Sequence, residues 1–198
     1  MGKNVIETYI EKQSQLIILI SGFSGSGKTV LGKSLSKDFK IDFLNLNDYM
    51  VDEFDKTIDL GDIKVVDWDS PDAVDWNKFN VDVNIKKNKG VIVSGFAFPI
   101  DKLDFKTDFH IHLKISKDDL LHNRREYIAE NEDSRLKELG DDLEKRILNK
   151  VSYPHYLESL KTSKIDKFIV VESGKLKEVY DQLFDYVIKE VEKVIYRH

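Results

Sequence analysis

Residues 22–29 read Gly-Phe-Ser-Gly-Ser-Gly-Lys-Thr, a complete G-x-x-x-x-G-K-[ST] string. Nothing else in the chain limits its fold as tightly. Before the string, Leu16 to Ile20 form an unbroken aliphatic run, suited to a strand buried on both faces. After it, Val30, Leu31, Leu35 and Phe39 recur at helical spacing. Strand, glycine-rich loop and helix in this order make a phosphate-binding loop. Gly22, Gly25 and Gly27 let the backbone curl, so that the N–H groups of Gly22, Phe23, Ser24, Gly25, Ser26 and Gly27 converge on a phosphate. Lys28 can then reach the β- and γ-phosphates, and the Thr29 hydroxyl can ligate Mg²⁺. The pattern predicts a site for a nucleoside triphosphate.

The 198 residues suffice for one α/β domain with a full core, taken here as residues 1–198. A net charge of −5 leaves no basic excess to neutralise nucleic-acid phosphates, so a nucleic-acid partner is not expected. Cysteine is absent, which removes disulfides, thiolate metal sites and cysteine nucleophiles. The run Leu16–Ile20 is too short to cross a bilayer, and Glu7, Glu11 and Lys12 break up any secretory segment. No membrane partner is expected, and the expected location is cytoplasmic.

Apolar runs predict strands at 16–21, 42–46, 90–94, 108–115 and 167–172. Helical patterns fall at about 28–39, 72–88, 117–130, 141–161 and 175–195. This alternation predicts a parallel sheet covered by helices on both faces. Ser70-Pro71-Asp72 reads as the start of the second helix, with Ser70 as its cap. The charged stretch 130–145 suits either a solvated surface or a lid. His110 and His112 share one strand face, but no third metal ligand is in view, so they read as core histidines.

Other stretches distinguish among phosphate-loop classes. No N-K-x-D guanine-reading string is present, and the third strand runs into Ser94-Gly95 instead of ending on an acid. Asn47-Asp48-Tyr49-Met50 follows the second strand, and Trp68-Asp69-Ser70-Pro71-Asp72-Ala73-Val74-Asp75 comes next. Later stand Leu120-Leu121-His122-Asn123-Arg124-Arg125-Glu126 and Val151-Ser152-Tyr153-Pro154. In this order the stretches resemble the uridine kinase family, with nicotinamide riboside kinases as close relatives. The chain departs from that pattern at Ser94, where relatives carry Glu, and at Ile128-Ala129, where they carry Arg-Asp.

The resemblance implies a P-loop NTPase fold of the nucleoside-monophosphate-kinase type. This is a three-layer sandwich whose five-stranded parallel sheet has the order 2-3-1-4-5, with a lid at about 124–145. It implies transfer of a phosphoryl group from ATP, with Mg²⁺, to the 5′-hydroxyl of a small ribonucleoside. The nucleoside would be uridine- or cytidine-like; nicotinamide riboside or another small metabolite is the alternative, as is a nucleotide-binding protein with weakened catalysis. Lys28, Asp48 and Arg124 would be catalytic, with Asp48 orienting the hydroxyl and sharing Mg²⁺ with Thr29. Arg125 would join the loop in binding ATP; both arginines also fit a solvated helix face. Asp69 would hold the ribose hydroxyls or favour a helix start. Tyr49 and Trp68 would stack on the base or sit in the core. Self-association into a homo-oligomer is left open.

Overall fold

The computed structural model describes residues 4–130 and 141–196. Its strands are β1 (Ile17–Gly22), β2 (Asp42–Asn45), β3 (Thr57–Asp59), β4 (Lys64–Val66), β5 (Val91–Gly95), β6 (Phe109–Ile115) and β7 (Lys167–Val171). The helices are α1 (Val5–Gln13), α2 (Lys28–Phe39), α3 (Trp76–Lys86), α4 (Lys117–Glu130), α5 (Asp141–Ile147), α6 (Tyr153–Thr162) and α7 (Leu176–Ile195). Five strands pair in parallel in the order β2-β5-β1-β6-β7. With the separate antiparallel β3–β4 hairpin left out of the numbering, this is the predicted order 2-3-1-4-5.

The central strands β1 and β5 are buried along their whole length because they are apolar on both faces. In β1, Ile18 and Ile20 pack towards Leu31 and Leu35 of α2 and Val179, Leu183 and Val187 of α7. Ile17 and Leu19 point the other way, towards Phe79 and Val83 of α3. The period of two thus sends alternate residues into separate cores. A third cluster of Phe23, Leu120, Leu148 and Tyr156 lies beside the phosphate loop.

The helix expected over 72–88 is shorter and starts later. Ser70 does act as a cap, accepting from the Asp72 N–H, but only for the 3-10 turn Pro71–Ala73. Val74 is extended and bridges Met50, which stops the helix from propagating. α3 then starts afresh, with the Asp75 carboxylate accepting from the Lys78 N–H at 3.0 Å.

The helix expected over 141–161 is interrupted by a π-helical turn at Leu148–Ser152, where the Tyr153 N–H bonds to the Leu148 carbonyl. Pro154 supplies the reason: it has no N–H for the carbonyl four residues back, and the wider turn accommodates its ring.

Two elements had no counterpart in the sequence reading. α1 has a complete capping box between Asn4 and Glu7, and buries Ile6 and Tyr9. The β3–β4 hairpin is held to α5 by Arg146, which donates to the Leu60 carbonyl at 2.8 Å and to Asp62 Oδ2 at 3.0 Å. This guanidinium holds the Asp62 carboxyl down at about 2. No described helix is long and apolar enough to cross a membrane.

Candidate active site

The phosphate loop takes its shape from glycines whose backbone conformation or close neighbours would strain a side chain. Gly25 and Gly27 adopt φ of 91° and 81°. A Cβ on Gly22 would lie 2.7 Å from Ser26 Oγ and 2.9 Å from the Leu113 carbonyl, and one on Gly27 would lie 2.6 Å from Leu176 Cδ1. Lys28 is buried, and its ammonium donates to the Phe23 carbonyl at 3.2 Å. Phe23 belongs to the loop through its backbone only. Its ring packs edge-on against Phe96 and Tyr156.

Asn123 of α4 braces the loop from outside. Its amide N–H donates to the Gly25 carbonyl at 3.0 Å, and its Oδ1 accepts from Ser173 Oγ at 3.1 Å. Nothing in the sequence reading singled out this residue. The expected phosphate-binding Arg124 and Arg125 follow it on the α4 backbone, but their side chains lie outside the described residues. So do residues 131–140, and with them most of the expected lid.

Three cavities adjoin along the carboxyl edge of the sheet, where open α/β folds place ligands. The first, of about 540 Å³, is lined by Ser24 to Val30, Asn45, Asn47, Asn123 and the turn Glu172–Gly174. The second, of about 490 Å³, is lined by Ser24, Lys28, Asn47, Met50, Val51, Asp52, Trp68, Asp69 and Phe96. The third is about 260 Å³. Trp68, Asp69, Trp76, Phe96 and His155 are on its wall, together with Asp101, Lys102 and Glu158. Shared residues connect the series: Ser24 and Lys28 join the first cavity to the second, and Trp68, Asp69 and Phe96 join the second to the third. Asn47 lines all three.

The expected acceptor-side residues therefore divide. Trp68 and Asp69 line the cleft, and Trp68 also leans on Phe54. Tyr49 does not line it. The ring lies in the core against Phe79, and the hydroxyl donates to Asp82 at 2.8 Å. Burial, reinforced by that carboxylate, raises the phenol well above its usual range.

The structure also places Asp48 away from the cleft. It is exposed and lines none of the three cavities. The cause is the 3-10 turn Leu46–Tyr49, whose first and last residues are both buried. With three residues per turn, Leu46 and Tyr49 eclipse on the core side, and the two residues between them diverge. Asn47 takes the cleft, and its neighbour does not. The carboxylates on the middle cavity's wall are Asp52 and Asp69.

Mg²⁺ would meet a neutral oxygen set at the loop. Thr29 Oγ1 stands 3.4 Å from the buried Ser94 Oγ, near the end of β5, where the kinase resemblance implies a glutamate. Two hydroxyls suit a small hard cation that keeps most of its waters and takes its charge balance from phosphates. Among the described residues, no cluster of three or more His, Asp or Glu side chains could hold a metal ion.

His110 and His112 are consumed in a directional chain. The Lys164 carbonyl can only accept, so His110 Nδ1 is the donor there, at 2.9 Å. Its Nε2 then accepts from the Ser21 hydroxyl at 2.7 Å. Ser21 Oγ accepts in turn from His112 Nδ1 at 2.8 Å, and His112 Nε2 accepts from the Tyr156 hydroxyl at 2.9 Å. Burial holds both imidazoles down at about 4, so they are neutral. Their role is to tie α6 to the residue preceding the phosphate loop.

No family model matches the chain. Among curated proteins, nicotinamide riboside kinase of Saccharomyces cerevisiae is 27% identical over 101 residues, 50% of this chain and 42% of that protein. Shikimate kinase of Bacteroides fragilis is 42% identical over 41 residues, 21% of this chain and 23% of that protein. The matches thus span less than half the length of either relative.

Among solved structures, a gluconokinase from Sinorhizobium meliloti superposes with a TM-score of 0.58 at 13% identity, covering 92% of this chain and 97% of the other. Shikimate kinase from Acinetobacter baumannii in complex with shikimate gives 0.51 at 17% identity, covering 91% and 97%. The chain has the P-loop kinase fold. These likenesses do not single out uridine kinase.

Proposed function

We propose that this chain transfers the γ-phosphoryl group of ATP to a hydroxyl of a small metabolite, and that the metabolite is a ribonucleoside phosphorylated at its 5′-oxygen. One observation carries the reading: the phosphate loop opens, through Lys28 and Asn47, into a cleft that ends in an aromatic pocket beside Asp69. The triphosphate fits the loop, the ribose the stretch shared by Asn47 and Asp69, and the base the pocket of Trp68, Trp76 and Phe96.

In the transfer, a bond forms between the acceptor oxygen and the γ-phosphorus, and the bond to the β-phosphate oxygen breaks. Lys28 and the loop N–H groups stabilise charge on the moving group. With Asp69 on the ribose hydroxyls, Asp52, the other carboxylate on the wall of the middle cavity, takes the proton of the 5′-hydroxyl. Bound at Thr29 and Ser94 with the nucleotide, Mg²⁺ would supply Lewis-acid neutralisation of the phosphates.

The pocket's charge narrows the acceptor. Asp69, Asp101 and Glu158 outnumber Lys102 on its wall. That balance opposes an acid such as shikimate and favours a neutral or cationic molecule. Uridine, cytidine and nicotinamide riboside all satisfy it, and the yeast relative gives the last of these support equal to the pyrimidines.

Ser94 beside Thr29, and an amide at Asn47, favour one rival: a protein that binds nucleotide and turns over slowly or not at all. Purified protein with ATP, Mg²⁺ and a nucleoside panel decides, read by ³¹P NMR. The expected result is ADP and a nucleoside 5′-monophosphate in equal amounts. ATP binding with no turnover of any nucleoside would overturn the nucleoside reading.

A further inference from the structure

His155 and Asp67 form a pair that no part of the transfer chemistry uses. Asp67 lies just beyond β4, and its side chain is 3% exposed. Its backbone is fixed on both sides: its N–H donates to the Lys56 carbonyl at 2.8 Å, and its carbonyl accepts from the Ser70 N–H at 3.1 Å. The carboxylate meets His155, in the first turn of α6. His155 Nε2 lies 3.0 Å from Oδ2 and 2.8 Å from Oδ1. The imidazole lines the aromatic pocket. A surface histidine would not need a buried carboxylate to hold its ring.

A carboxylate oxygen accepts at this contact, so when the imidazole is neutral its one proton sits on Nε2. Nδ1 is then a lone-pair acceptor, and among the described residues it has no hydrogen-bond partner. The same logic orients metal-bound and catalytic histidines, where the partner of one nitrogen fixes the chemistry of the other.

We propose that His155, with its ring positioned by Asp67, reads the acceptor's base by accepting a hydrogen bond from an N–H or O–H on it. The proposal rests on the kinase reading for the identity of the pocket's occupant. It assigns specificity to His155 and positioning to Asp67. It selects, between acceptors of equal size, the one that carries a donor rather than an acceptor at the position facing Nδ1.

Two matched pairs of acceptors test it: cytidine against uridine, and nicotinamide riboside against nicotinic acid riboside. In the pair that the wild-type protein turns over, the amine- or amide-bearing member should have the lower KM, by on the order of tenfold, the scale of one unpaired buried polar group. His155→Ala should collapse that ratio to near one without changing the KM for ATP. His155→Asn, which keeps an acceptor oxygen near the place of Nδ1, should restore part of it. Asp67→Asn, whose amide can offer its own N–H to Nε2, should erode the ratio with His155 intact.

Preference for the carbonyl- or carboxylate-bearing member, or a ratio unchanged in His155→Ala, would overturn the proposal. So would variants that only lower the melting temperature, since the pair would then merely tie the hairpin to α6. Imidazole ¹⁵N NMR of the whole protein at pH 8 separates this from the kinase reading, because it needs no turnover. It should show the Nε2–H tautomer at His155, and an Nδ1–H tautomer would overturn the proposal even in an active kinase. No turnover of any of the four nucleosides, with the Nε2–H tautomer present, would reject the nucleoside reading and with it this acceptor.

Discussion

Removing the Asp69 carboxylate should cost catalytic efficiency and ribose selectivity while leaving the fold alone. The structure separates these outcomes because Asp69 caps nothing. Ser70 caps the 3-10 turn, and Asp75 caps α3. Asp69 instead lines both the middle cavity and the aromatic pocket, and its carboxylate carries no hydrogen bond to a described residue. An ionised carboxylate facing vicinal hydroxyls accepts two charge-assisted bonds, each contributing about 1.5–3 kcal/mol. Asp69→Ala should therefore lower kcat/KM for a ribonucleoside by about 3–6 kcal/mol, or roughly 10²–10⁴-fold. A 2′-deoxyribonucleoside forfeits one of those bonds in the wild type, a penalty of roughly 10- to 150-fold. In the variant that penalty should fall close to one. Stability should change by no more than about 0.5 kcal/mol, as for a surface position without a structural partner. Steady-state kinetics on the matched substrates, measured beside thermal melting, checks both halves. A variant that melts several degrees lower and keeps its ribose preference would refute the reasoning.

Three further outcomes follow from the same geometry. Lys28→Ala should cut turnover by on the order of 10²–10³-fold or more and weaken ATP binding, measured by ADP release and calorimetry; wild-type values for both would make the loop irrelevant to activity. Asp48→Asn should change kcat/KM by no more than about twofold, because this side chain lines none of the cavities; a loss of about 10²-fold or more would return the acceptor-orienting role to Asp48. Because burial depresses His110 and His112 to about 4, below the ordinary 6.5, the unfolded chain binds protons first as pH falls. Their contribution is complete above pH 6.5 and is lost progressively towards pH 4. Urea denaturation should show stability declining by on the order of a few kcal/mol across that window, and a flat profile between pH 7 and 5 would contradict neutral burial of the pair.

What the sequence made legible follows from how local each determinant is. The phosphate loop, β1 and α2 were readable because a contiguous string specifies them: glycines for positive φ, then helical apolar spacing. The bounds of α2 came out as predicted at 28–39 for the same reason. Strands buried on both faces were likewise evident as unbroken aliphatic runs. The β3–β4 hairpin was not, because Thr57–Asp59 and Lys64–Val66 are short and largely exposed, so no hydrophobic alternation marks them. α1 does carry a local signal, the capping box of Asn4 and Glu7 that brackets Ile6 and precedes Tyr9, but it buries only these two apolar residues.

The candidate site divides by the same criterion. Lys28, Thr29 and Asp69 are set by motif position, whereas Asn47 against Asp48 is a matter of rotation. Adjacent residues on a 3-10 turn differ by about 120°, so a motif can point to the turn and still leave open which side chain faces the cleft. Deciding between them requires knowing that Leu46 and Tyr49 are the buried pair, which is a tertiary fact. Asp67 and His155 lie still further from what a linear reading can find. They are 88 residues apart and meet only because the hairpin and α6 flank one pocket. Fold and phosphate chemistry are thus written locally, while the residues that would choose the acceptor are assembled from distant segments. Substitutions there can change the acceptor without disturbing the loop that holds the donor.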